Sequence, residues 1–316
     1  MKVLVTGASG FIGSHLTQLL LKSGFVVHGV CYSQKIHIEH PQLTVTKKDL
    51  SRDSLGAELR AFRPDCLVHT AAINPSVKQL SLNPDFNQFN HEVTLDLVAQ
   101  YLDYVTSIGQ SKVSNLHKLI NLSTYEIYGE ASDLGHDENA KMNPLTEYAA
   151  SKAITHDALE SMSCSYAQLI NVVCSNNYGP SQSKEKLIPA VFERLVKNQS
   201  INLYGDGSSQ RTWTYVMDTC LGILEVLLRG RRNRYHLCSD EDVTVKNMVY
   251  KIHQILKDKQ IIQTPKPKIQ WHPSDLNPAF KMSDILSKND LKWRAKTGLN
   301  EGLALTIDHL IETQQI

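Results

Sequence analysis

A glycine-rich segment near the start of the chain, Thr6-Gly7-Ala8-Ser9-Gly10-Phe11-Ile12-Gly13, constrains the fold more than any other feature. It follows the apolar run Val3-Leu4-Val5 and precedes an amphipathic stretch, which indicates a buried strand, a tight turn and a helix. Backbone N–H groups at the start of such a helix have no internal partners, and together with the helix dipole they favour a pyrophosphate. Gly7 suits the tight turn, Gly10 the approach of a ligand, and Gly13 the close packing of helix on sheet. The segment predicts a dinucleotide-binding turn.

The helix after this turn has one apolar face, and Gly24 stands where a C-terminal cap belongs. The residues on that face are Ile12, His15, Leu16, Leu19 and Leu20. Glycines at this spacing also occur in structural loops, but the strand before and the helix after them favour a cofactor. The residues of the segment that we expect at the cofactor are Gly7, Ser9, Gly10, Phe11, Ile12 and Gly13.

Length and charge narrow the class of protein. With 316 residues the chain is long enough for one large domain or two coupled ones. Lys and Arg total 33 against 32 for Asp and Glu, so the net charge of +1 gives no basic surface for nucleic acid. Met1-Lys2 leads directly into the first strand, and no apolar run approaches the ~20 residues that span a bilayer. We expect a cytoplasmic protein without a signal peptide, a membrane partner or a nucleic-acid partner.

The cysteines and histidines give no support for a metal site. None of the 6 cysteines belongs to a CxxC pair, and the 13 histidines show neither HxxxH nor HExxH spacing. The cysteines are Cys31, Cys66, Cys164, Cys174, Cys220 and Cys238. We expect reduced, mostly buried thiols and no bound metal.

The first half of the chain alternates strand and helix patterns. The expected strands after the first are Val26 to Cys31, Leu43 to Thr46, Cys66 to Thr70, Leu119 to Leu122 and Gln168 to Val173. Helical stretches separate them, which predicts an α/β fold with a doubly wound parallel Rossmann sheet and a smaller C-terminal substrate lobe. Right-handed crossovers then place the cofactor along the edge formed by the carboxyl ends of the strands.

The ends of two expected strands are expected to contact the cofactor. An acidic residue for the adenosine ribose is expected about 20 residues after the glycines, but that position holds Cys31. No arginine is nearby for a 2′-phosphate, although Lys35 could reach one, so the residues leave NAD and NADP open. The small residues Ala71 and Ala72 follow the fourth strand, where the backbone must lie against the nicotinamide side of the cofactor.

The candidate catalytic residues lie between positions 121 and 152. Ser123, Thr124 and Glu126 follow a strand, so their side chains emerge at the sheet edge. Tyr148 and Lys152 stand four residues apart on a helix and share one face. A nearby ammonium stabilises a phenolate, so we expect Lys152 to lower the pKa of Tyr148 and to let it act as a base. A YxxxK pair alone is common on helix surfaces, and its position after a phosphate turn favours catalysis.

In these motifs the chain resembles the extended short-chain dehydrogenase/reductases, and among them the dTDP-glucose 4,6-dehydratases and related nucleotide-sugar enzymes. The GxxGxxG spacing and YxxxK carry the resemblance, which extends over nearly the whole length. Further matching segments are Pro144 to Ala153, Ser175 to Pro180, Lys184 to Pro189, Leu203 to Gly207 and Gln210 to Val216. The resemblance favours NAD and implies that Asp49-Leu50 faces the adenine; a helix N-cap is the other reading of Asp49.

The resemblance also implies a reaction. Tyr148, with Lys152 and Ser123 or Thr124, takes the proton of the sugar 4-hydroxyl while hydride leaves C4 for the nicotinamide. Glu126 then removes the C5 hydrogen made acidic by the 4-ketone, water is lost from C5 and C6, and hydride returns to C6. The same ketone also leads to epimerisation, decarboxylation or a 5,6-unsaturated sugar.

Position 125 departs from the dehydratase pattern. The family has an aspartic acid there that protonates the departing hydroxyl, whereas this chain has Tyr125, and a phenol with a pKa of about 10 is a much weaker acid. Three readings are open: a packing residue, altered chemistry, or proton donation by the phenol itself.

The C-terminal part is expected to bind the sugar nucleotide, with the diphosphate neutralised by Lys186 and Arg211. Tyr204 stacks on the base or belongs to the core, and Asn277 lies where relatives have a phosphate-binding arginine. The expected substrate-binding residues are Asn177, Lys186, Leu187, Tyr204, Arg211 and Asn277. Each of the charged ones has a solvated surface role as its alternative.

The domains are expected to be discontinuous in sequence. Residues 1–173 with about 205–240 form the NAD(P)-binding Rossmann domain, including a returning strand at Tyr235 to Leu237, and residues 174–204 and 241–316 form the sugar-nucleotide lobe. The resemblance implies a homodimer with a four-helix interface. In that interface the helix from His91 to Val105 would pair with the Tyr148 helix of a second subunit, unless it only covers its own sheet. The residues on that helix would be Val93, Leu97, Tyr101 and Leu102. A catalytically silent sensor of NAD or nucleotide sugar is the hypothesis from another class.

Overall fold

The structure is a computed structural model that describes residues 1–73, 86–109, 117–131, 134–274 and 278–314. Its strands are β1 (Lys2–Thr6), β2 (Val26–Cys31), β3 (Leu43–Lys47), β4 (Cys66–His69), β5 (His117–Thr124), β6 (Ala167–Cys174), β7 (Asn176–Tyr178), β8 (Ile201–Tyr204), β9 (Gln210–Tyr215), β10 (Arg234–Leu237), β11 (Asp242–Thr244) and β12 (Ile269–His272). Its helices are α1 (Phe11–Lys22), α2 (Gly56–Phe62), α3 (Phe86–Ile108), α4 (Glu147–Ser161), α5 (Leu187–Val196), α6 (Val216–Arg229), α7 (Val245–Asp258) and α8 (Leu299–Gln314). A 3₁₀ turn spans Tyr125–Tyr128 and a π-helical turn spans Ser287–Leu291.

The central sheet has seven parallel strands in the order β10-β6-β5-β4-β1-β2-β3. β1 lies between β2 and β4, so the winding of the chain reverses there, and open α/β sheets bind ligands at such a switch point. The predicted doubly wound parallel sheet is confirmed, and each strand expected from an apolar run forms within two residues of its predicted bounds. The returning strand expected at Tyr235 pairs with β6 as β10.

Both faces of this sheet are covered by helices. On one face, Leu16 and Leu20 of α1 pack with Ile223 and Val226 of α6. The residues on the other face include Leu59 of α2, Tyr101 of α3 and Leu159 of α4. Burying one such leucine stabilises the fold by about 1.5–3 kcal/mol relative to exposure. This is why the strands read as continuous apolar runs rather than as alternating patterns.

A second core lies between α5, α7 and α8 and includes Phe192, Ile252 and Leu303. Two small sheets adjoin it, one with the order β11-β9-β7 and one that pairs β12 with β8. Trp213 of β9 belongs to this second core, whereas Leu291 and Trp293 pack into the core of the large sheet. The chain therefore crosses between the two cores more often than the expected boundaries at 205, 240 and 241 imply.

Helix α3 covers the sheet of its own chain with the residues expected at a dimer interface. Val93, Leu97 and Tyr101 are buried here, and Leu102 packs beside them. The Tyr101 hydroxyl donates to the carbonyl oxygens of Asp65 and Lys118 at 3.2 and 3.1 Å. Leu97 and Tyr101 thus belong to the core beneath their own sheet, in line with the reading that this helix covers its own sheet. Among the described residues, no helix is long and apolar enough to span a membrane.

Candidate active site

The glycine turn is built against the switch point of the sheet. Gly7 has a φ of 68°, and a Cβ there would lie 2.6 Å from the backbone nitrogen of Ala71. A Cβ on Gly13 would lie 2.1 Å from the carbonyl oxygen of Gly7. The Thr70 hydroxyl donates to the carbonyl oxygen of Thr6 at 2.7 Å, which fixes the end of β4 beside the turn. Only glycine fits where the turn, α1 and the end of β4 meet.

The start of α1 suits an anionic ligand. Gly10 is its N-cap, no side chain in the described part of the chain caps it, and its first turn carries no acidic residue. The positive end of the helix dipole and the first backbone N–H groups are therefore available to a phosphate. These features fit a dinucleotide, held by the backbone from Gly7 to Gly13. The expected C-terminal stop is also present, since Gly24 has a φ of 81° and its N–H donates to the carbonyl oxygen of Leu21 at 3.0 Å.

The side chains expected around the adenosine, those of Cys31, Asp49 and Leu50, make contacts within the protein. The Cys31 thiol at the end of β2 is buried and lies 3.8 Å from the carbonyl oxygen of Thr46. Asp49 accepts hydrogen bonds from the backbone N–H and the hydroxyl of Ser51 at 3.1 and 2.6 Å, and the hydroxyl bond lowers the pKa of Asp49. Leu50 packs on the core beneath α2 and α3. Asp49 thus caps a turn, in line with the structural reading of that residue.

Tyr148 and Lys152 lie one turn apart near the start of α4, which the Thr146 hydroxyl caps. The Lys152 ammonium donates to the carbonyl oxygen of Leu122 at 3.2 Å, and burial lowers the pKa of Lys152 to about 8. The pKa of Tyr148 is raised instead of lowered, first by burial and then by the negative charge of Glu126. The predicted direction is therefore wrong, because burial and the charge of Glu126 both disfavour the phenolate.

Glu126 is the carboxylate whose negative charge acts on Tyr148. It lies in the 3₁₀ turn directly after β5, and its backbone N–H donates to the Thr124 hydroxyl at 3.3 Å. Burial raises the pKa of Glu126, while the positive charges of Arg211 and Lys186 act in the opposite direction. A raised pKa brings a carboxylate towards the range of a general base.

Tyr125, the neighbour of Glu126 in the chain, lies in an apolar cluster. Its side chain is 2% exposed, and its ring packs on Phe280 with the ring centres 5.6 Å apart. The hydroxyl has no hydrogen-bond partner among the described residues. Burial raises the pKa of Tyr125 well above its ordinary value, so the phenol stays protonated at neutral pH. This geometry favours the packing reading of position 125.

The two hydroxyl residues at the end of β5 have different surroundings. Ser123 is buried, and its Oγ lies 3.5 Å from Nδ1 of His156 on α4. Thr124 is partly exposed at the sheet edge and caps the 3₁₀ turn. Alternation along the strand therefore directs Thr124 to the side opposite Ser123.

Arg211 and Lys186 lie where their charges act on Glu126, although they are distant in sequence. The Arg211 guanidinium stacks on the Phe280 ring at 4.5 Å and donates to the carbonyl oxygen of Pro278 at 2.5 Å. Burial lowers the pKa of Lys186, which the charge of Glu126 raises in part. The structure thus brings the predicted cations to the predicted base.

The other expected substrate residues are not gathered in this way. The Asn177 side chain donates to the carbonyl oxygen of Ser175 and accepts from the Thr219 hydroxyl, so the fold uses both ends of its amide. Leu187 opens α5 and packs on the second core. Tyr204 is 67% exposed at the end of β8, where its ring contacts His272. Asn277 lies outside the described residues.

Sequence reasoning missed a buried polar group behind the site. His156 and Glu160 continue the four-residue spacing of Tyr148 and Lys152 along α4. Arg234 of β10 pairs with Glu160. The four-residue spacing along α4 could have indicated His156 and Glu160. No local sequence feature indicates that Arg234 of β10 pairs with α4.

A doubly wound parallel sheet with a glycine turn at its switch point and a tyrosine-lysine pair at its carboxyl edge defines a dinucleotide-dependent enzyme of the short-chain dehydrogenase/reductase type. The profile of the NAD dependent epimerase/dehydratase family matches residues 3–238. The chain belongs to this family, and it is an NAD-dependent enzyme of the dehydratase and epimerase class.

The chain is similar to known dehydratases and to known epimerases. A dTDP-glucose 4,6-dehydratase of Haemophilus influenzae is 28% identical, with 97% of each chain covered. The crystal structure of DesIV, a dTDP-glucose 4,6-dehydratase of Streptomyces venezuelae with NAD bound, matches with a TM-score of 0.85 and 26% identity over 100% of this chain and 98% of that one. The UDP-glucose 4-epimerase of Thermus thermophilus in complex with NAD matches with a TM-score of 0.83 and 27% identity, covering 98% and 99%.

Proposed function

We propose that the protein is an NAD-dependent 4,6-dehydratase of a nucleoside-diphosphate hexose, which works through a 4-keto sugar. The convergence of Tyr148, Lys152 and Glu126 at the carboxyl edge of the sheet carries this proposal, because oxidation at C4 and proton removal at C5 need a phenol and a carboxylate side by side. Relatives named as dehydratases of dTDP-glucose support the substrate class.

Tyr148 is the group that accepts the proton of the sugar 4-hydroxyl. Its phenolate is disfavoured by burial and by Glu126, so the proton transfer requires a cationic neighbour, and Lys152 lies one turn away on the same face of α4. NAD, when bound, accepts hydride from C4 and returns it at C6. Thr124, partly exposed at the end of β5, is the hydroxyl that orients the 4-oxygen.

Glu126 removes the C5 proton. Its raised pKa suits a group that accepts a proton near neutral pH and gives it up again. Since the Tyr125 hydroxyl is buried among apolar side chains, Glu126 also delivers its newly acquired proton to the departing 6-hydroxyl, and a second proton reaches C5 from solvent. Arg211 and Lys186 bind the diphosphate and limit how far the pKa of Glu126 rises.

The remaining expectations belong to the same proposal. The residues proposed at the cofactor are Gly7, Ser9, Gly10, Phe11, Ile12, Gly13, Asp49, Leu50, Ala71, Ala72, Ser123, Tyr148 and Lys152. The second core with its two small sheets forms the sugar-nucleotide lobe, and the protein works as a cytoplasmic homodimer. The six free cysteines, five of them buried, suit a reducing compartment.

Proton NMR in heavy water tests the function directly. The protein is incubated in turn with dTDP-glucose, UDP-glucose and UDP-N-acetylglucosamine. A new 6-deoxy methyl signal with deuterium at C5 is the expected result. The absence of any change in all three sugars and in the absorbance of bound NAD would overturn the proposal in favour of a silent sensor.

Epimerisation is the second candidate, and Tyr125 favours it. A buried phenol that has no hydrogen-bond partner in the described part of the chain offers no acid for the departing hydroxyl, and an enzyme that exchanges a sugar proton without losing water needs none. In the same NMR experiment, deuterium at C5 or a changed configuration at C4 without a methyl signal would identify this activity.

A further inference from the structure

A buried histidine lies directly behind the proposed catalytic groups. Tyr148, Lys152, His156 and Glu160 follow one another at four-residue intervals on α4, so one side of the helix carries all four. His156 is fully buried. Its Nδ1 lies 3.5 Å from the Ser123 hydroxyl and its Nε2 lies 3.1 Å from Oε1 of Glu160. The imidazole thus joins the end of β5 to the far end of α4.

The direction of each hydrogen bond follows from the charge of Glu160. Burial alone would raise the pKa of Glu160, but hydrogen bonds from His156 and Arg234 hold it at about 2, so the carboxylate is ionised and only accepts. Nε2 of His156 therefore carries the hydrogen that it donates to Glu160. In a neutral imidazole Nδ1 is then an acceptor, and the Ser123 hydroxyl donates to it.

The same network reaches the turn that carries Glu126. Arg234 donates to both carboxylate oxygens of Glu160 and to the carbonyl oxygen of Glu138. It also lies 3.5 Å from the hydroxyl of Tyr128, the last residue of the 3₁₀ turn. That hydroxyl is 2.7 Å from Nε2 of His236. One connected set of bonds therefore holds α4, the end of β5 and the 3₁₀ turn together.

We propose that His156 is a positioning residue of this active site. As a neutral imidazole it accepts the Ser123 hydrogen and, through Glu160 and Arg234, fixes the strand end that carries Thr124 and Glu126 against the helix that carries Tyr148 and Lys152. Reacting groups must be held to a fraction of an ångström, so a loosened support lowers turnover more than it lowers affinity.

Protonation of His156 would reverse its bond to Ser123, because Nδ1 would become a donor. The charged and titratable groups that face the ring are Glu160 and Asp157 of its own helix and Arg234 and His236 of β10. Burial lowers the pKa of His156 below its ordinary value, and Arg234 adds to that, while Glu160 opposes it. The ring is therefore neutral at pH 7, and the arrangement is lost only in acid.

The first test needs no substrate. The whole protein is labelled with ¹⁵N in its histidines, and the His156 resonances are assigned as those missing from His156→Asn. We expect a protonated Nε2 and an unprotonated Nδ1 at pH 7, with Nδ1 shifting in Ser123→Ala while Nε2 stays in place. A protonated Nδ1, or resonances that do not respond to Ser123→Ala, would overturn the proposal.

The second test separates the two bonds and rests on the proposed function, because it measures turnover of the sugar. His156→Asn keeps an acceptor near the position of Nδ1, whereas His156→Gln keeps a donor near that of Nε2. We expect kcat to fall about 10- to 100-fold in H156Q with little change in KM, and H156N to retain at least ten times the kcat of H156Q. We also expect the acid limb of the kcat profile to lose one ionisation in H156N.

His253 provides a matched control for this experiment. It is buried in the other core, and Nε2 bonds the carbonyl oxygen of Thr264 at 3.0 Å. His253→Gln should leave kcat and its pH profile unchanged. Equal losses in H156N and H156Q, with the wild-type pH profile kept, would reduce His156 to a packing residue. A wild-type protein without turnover would refute the proposed function alone, and the NMR test would still decide the role of His156.

Discussion

Arg234 of β10 holds both carboxylate oxygens of Glu160 on α4, with Nε 2.8 Å from Oε1 and Nη2 2.5 Å from Oε2. The two side chains are 15% and 25% exposed, so solvent screens the pair only in part. Bidentate pairs of this kind fix direction as well as distance. The pair ties the helix that carries Tyr148 to an edge strand of the large sheet.

Removal of one charge from this pair should destabilise the protein. Because the pair is partly exposed, we expect Glu160→Gln to lower the free energy of unfolding by about 1–3 kcal/mol, less than the ~3–5 kcal/mol typical of fully buried pairs. The folded pKa of Glu160, about 2, is below its ordinary value of 4.5. The contribution is therefore present above pH 4.5 and is lost as the pH falls towards 2. Urea unfolding at pH 7 and pH 3 measures both effects.

Glu193→Gln is the control for that measurement, since Glu193 pairs with Lys197 on an exposed helix face. Its effect should stay below about 0.5 kcal/mol. Equal effects of the two substitutions would show that the Arg234 pair contributes no more than a surface pair.

Glu126→Gln should abolish exchange at C5. The amide cannot accept the proton, so deuterium incorporation from heavy water should fall by about 10²- to 10⁴-fold while the protein still binds NAD. In the wild type, exchange should decline as the pH falls through a pKa that burial raises above 4.5. Glu130→Gln, at an exposed site beside the turn, is the control. Undiminished exchange in E126Q would assign the base to another residue.

Tyr125→Phe separates packing from catalysis. The variant removes a buried hydroxyl that has no partner among the described residues, so the free energy of unfolding should stay level or rise by about 1 kcal/mol. Formation of the 6-deoxy methyl group should persist, as read by proton NMR. If the methyl signal disappears while C5 exchange continues, Tyr125 is the acid for water loss despite its high pKa.

Gly13→Ala tests the contact between the turn and α1. The added Cβ would lie 2.1 Å from the carbonyl oxygen of Gly7, so the backbone must move. We expect a loss of about 1–3 kcal/mol in stability and at least a 10-fold weaker affinity for NAD, measured by calorimetry. In Gly298→Ala the Cβ has its nearest neighbour at 3.7 Å, and both quantities should be unaffected. Tight NAD binding by G13A would remove the glycine turn from the cofactor site.

Local patterns in the sequence were sufficient to predict the sheet and the central groups of the site. The apolar runs predicted the strands because both faces of a parallel sheet are buried. The four-residue spacing of Tyr148 and Lys152 predicted their common face because a helix has a fixed pitch. Glu126 was predicted from its place directly after a strand, and its raised pKa follows from that buried position.

Long-range packing decided what the sequence could not. The spacing of Tyr101 along its helix fits a face towards a partner as well as a face towards its own sheet. Only the folded structure shows that its hydroxyl donates to the carbonyl oxygens of Asp65 and Lys118. The pKa of Tyr148 depends on the solvent that neighbouring elements exclude, which no spacing predicts. Arg234 and Phe280 reach the site from segments far along the chain, without a local motif.

The late position of β10 in the chain has a consequence for folding during synthesis. The glycine turn, Glu126 and Tyr148 all precede residue 150, but β10, which pairs with β6, is separated from it in the chain by two further helices. A chain emerging from the ribosome thus contains every proposed catalytic residue before Arg234 is available to bond Glu160 and hold their helix in place. Nascent chains that stop short of β10 would expose the edge of β6, where another strand could add. The addition of β10 therefore both supplies Arg234 to the catalytic centre and protects that edge of the sheet against aggregation.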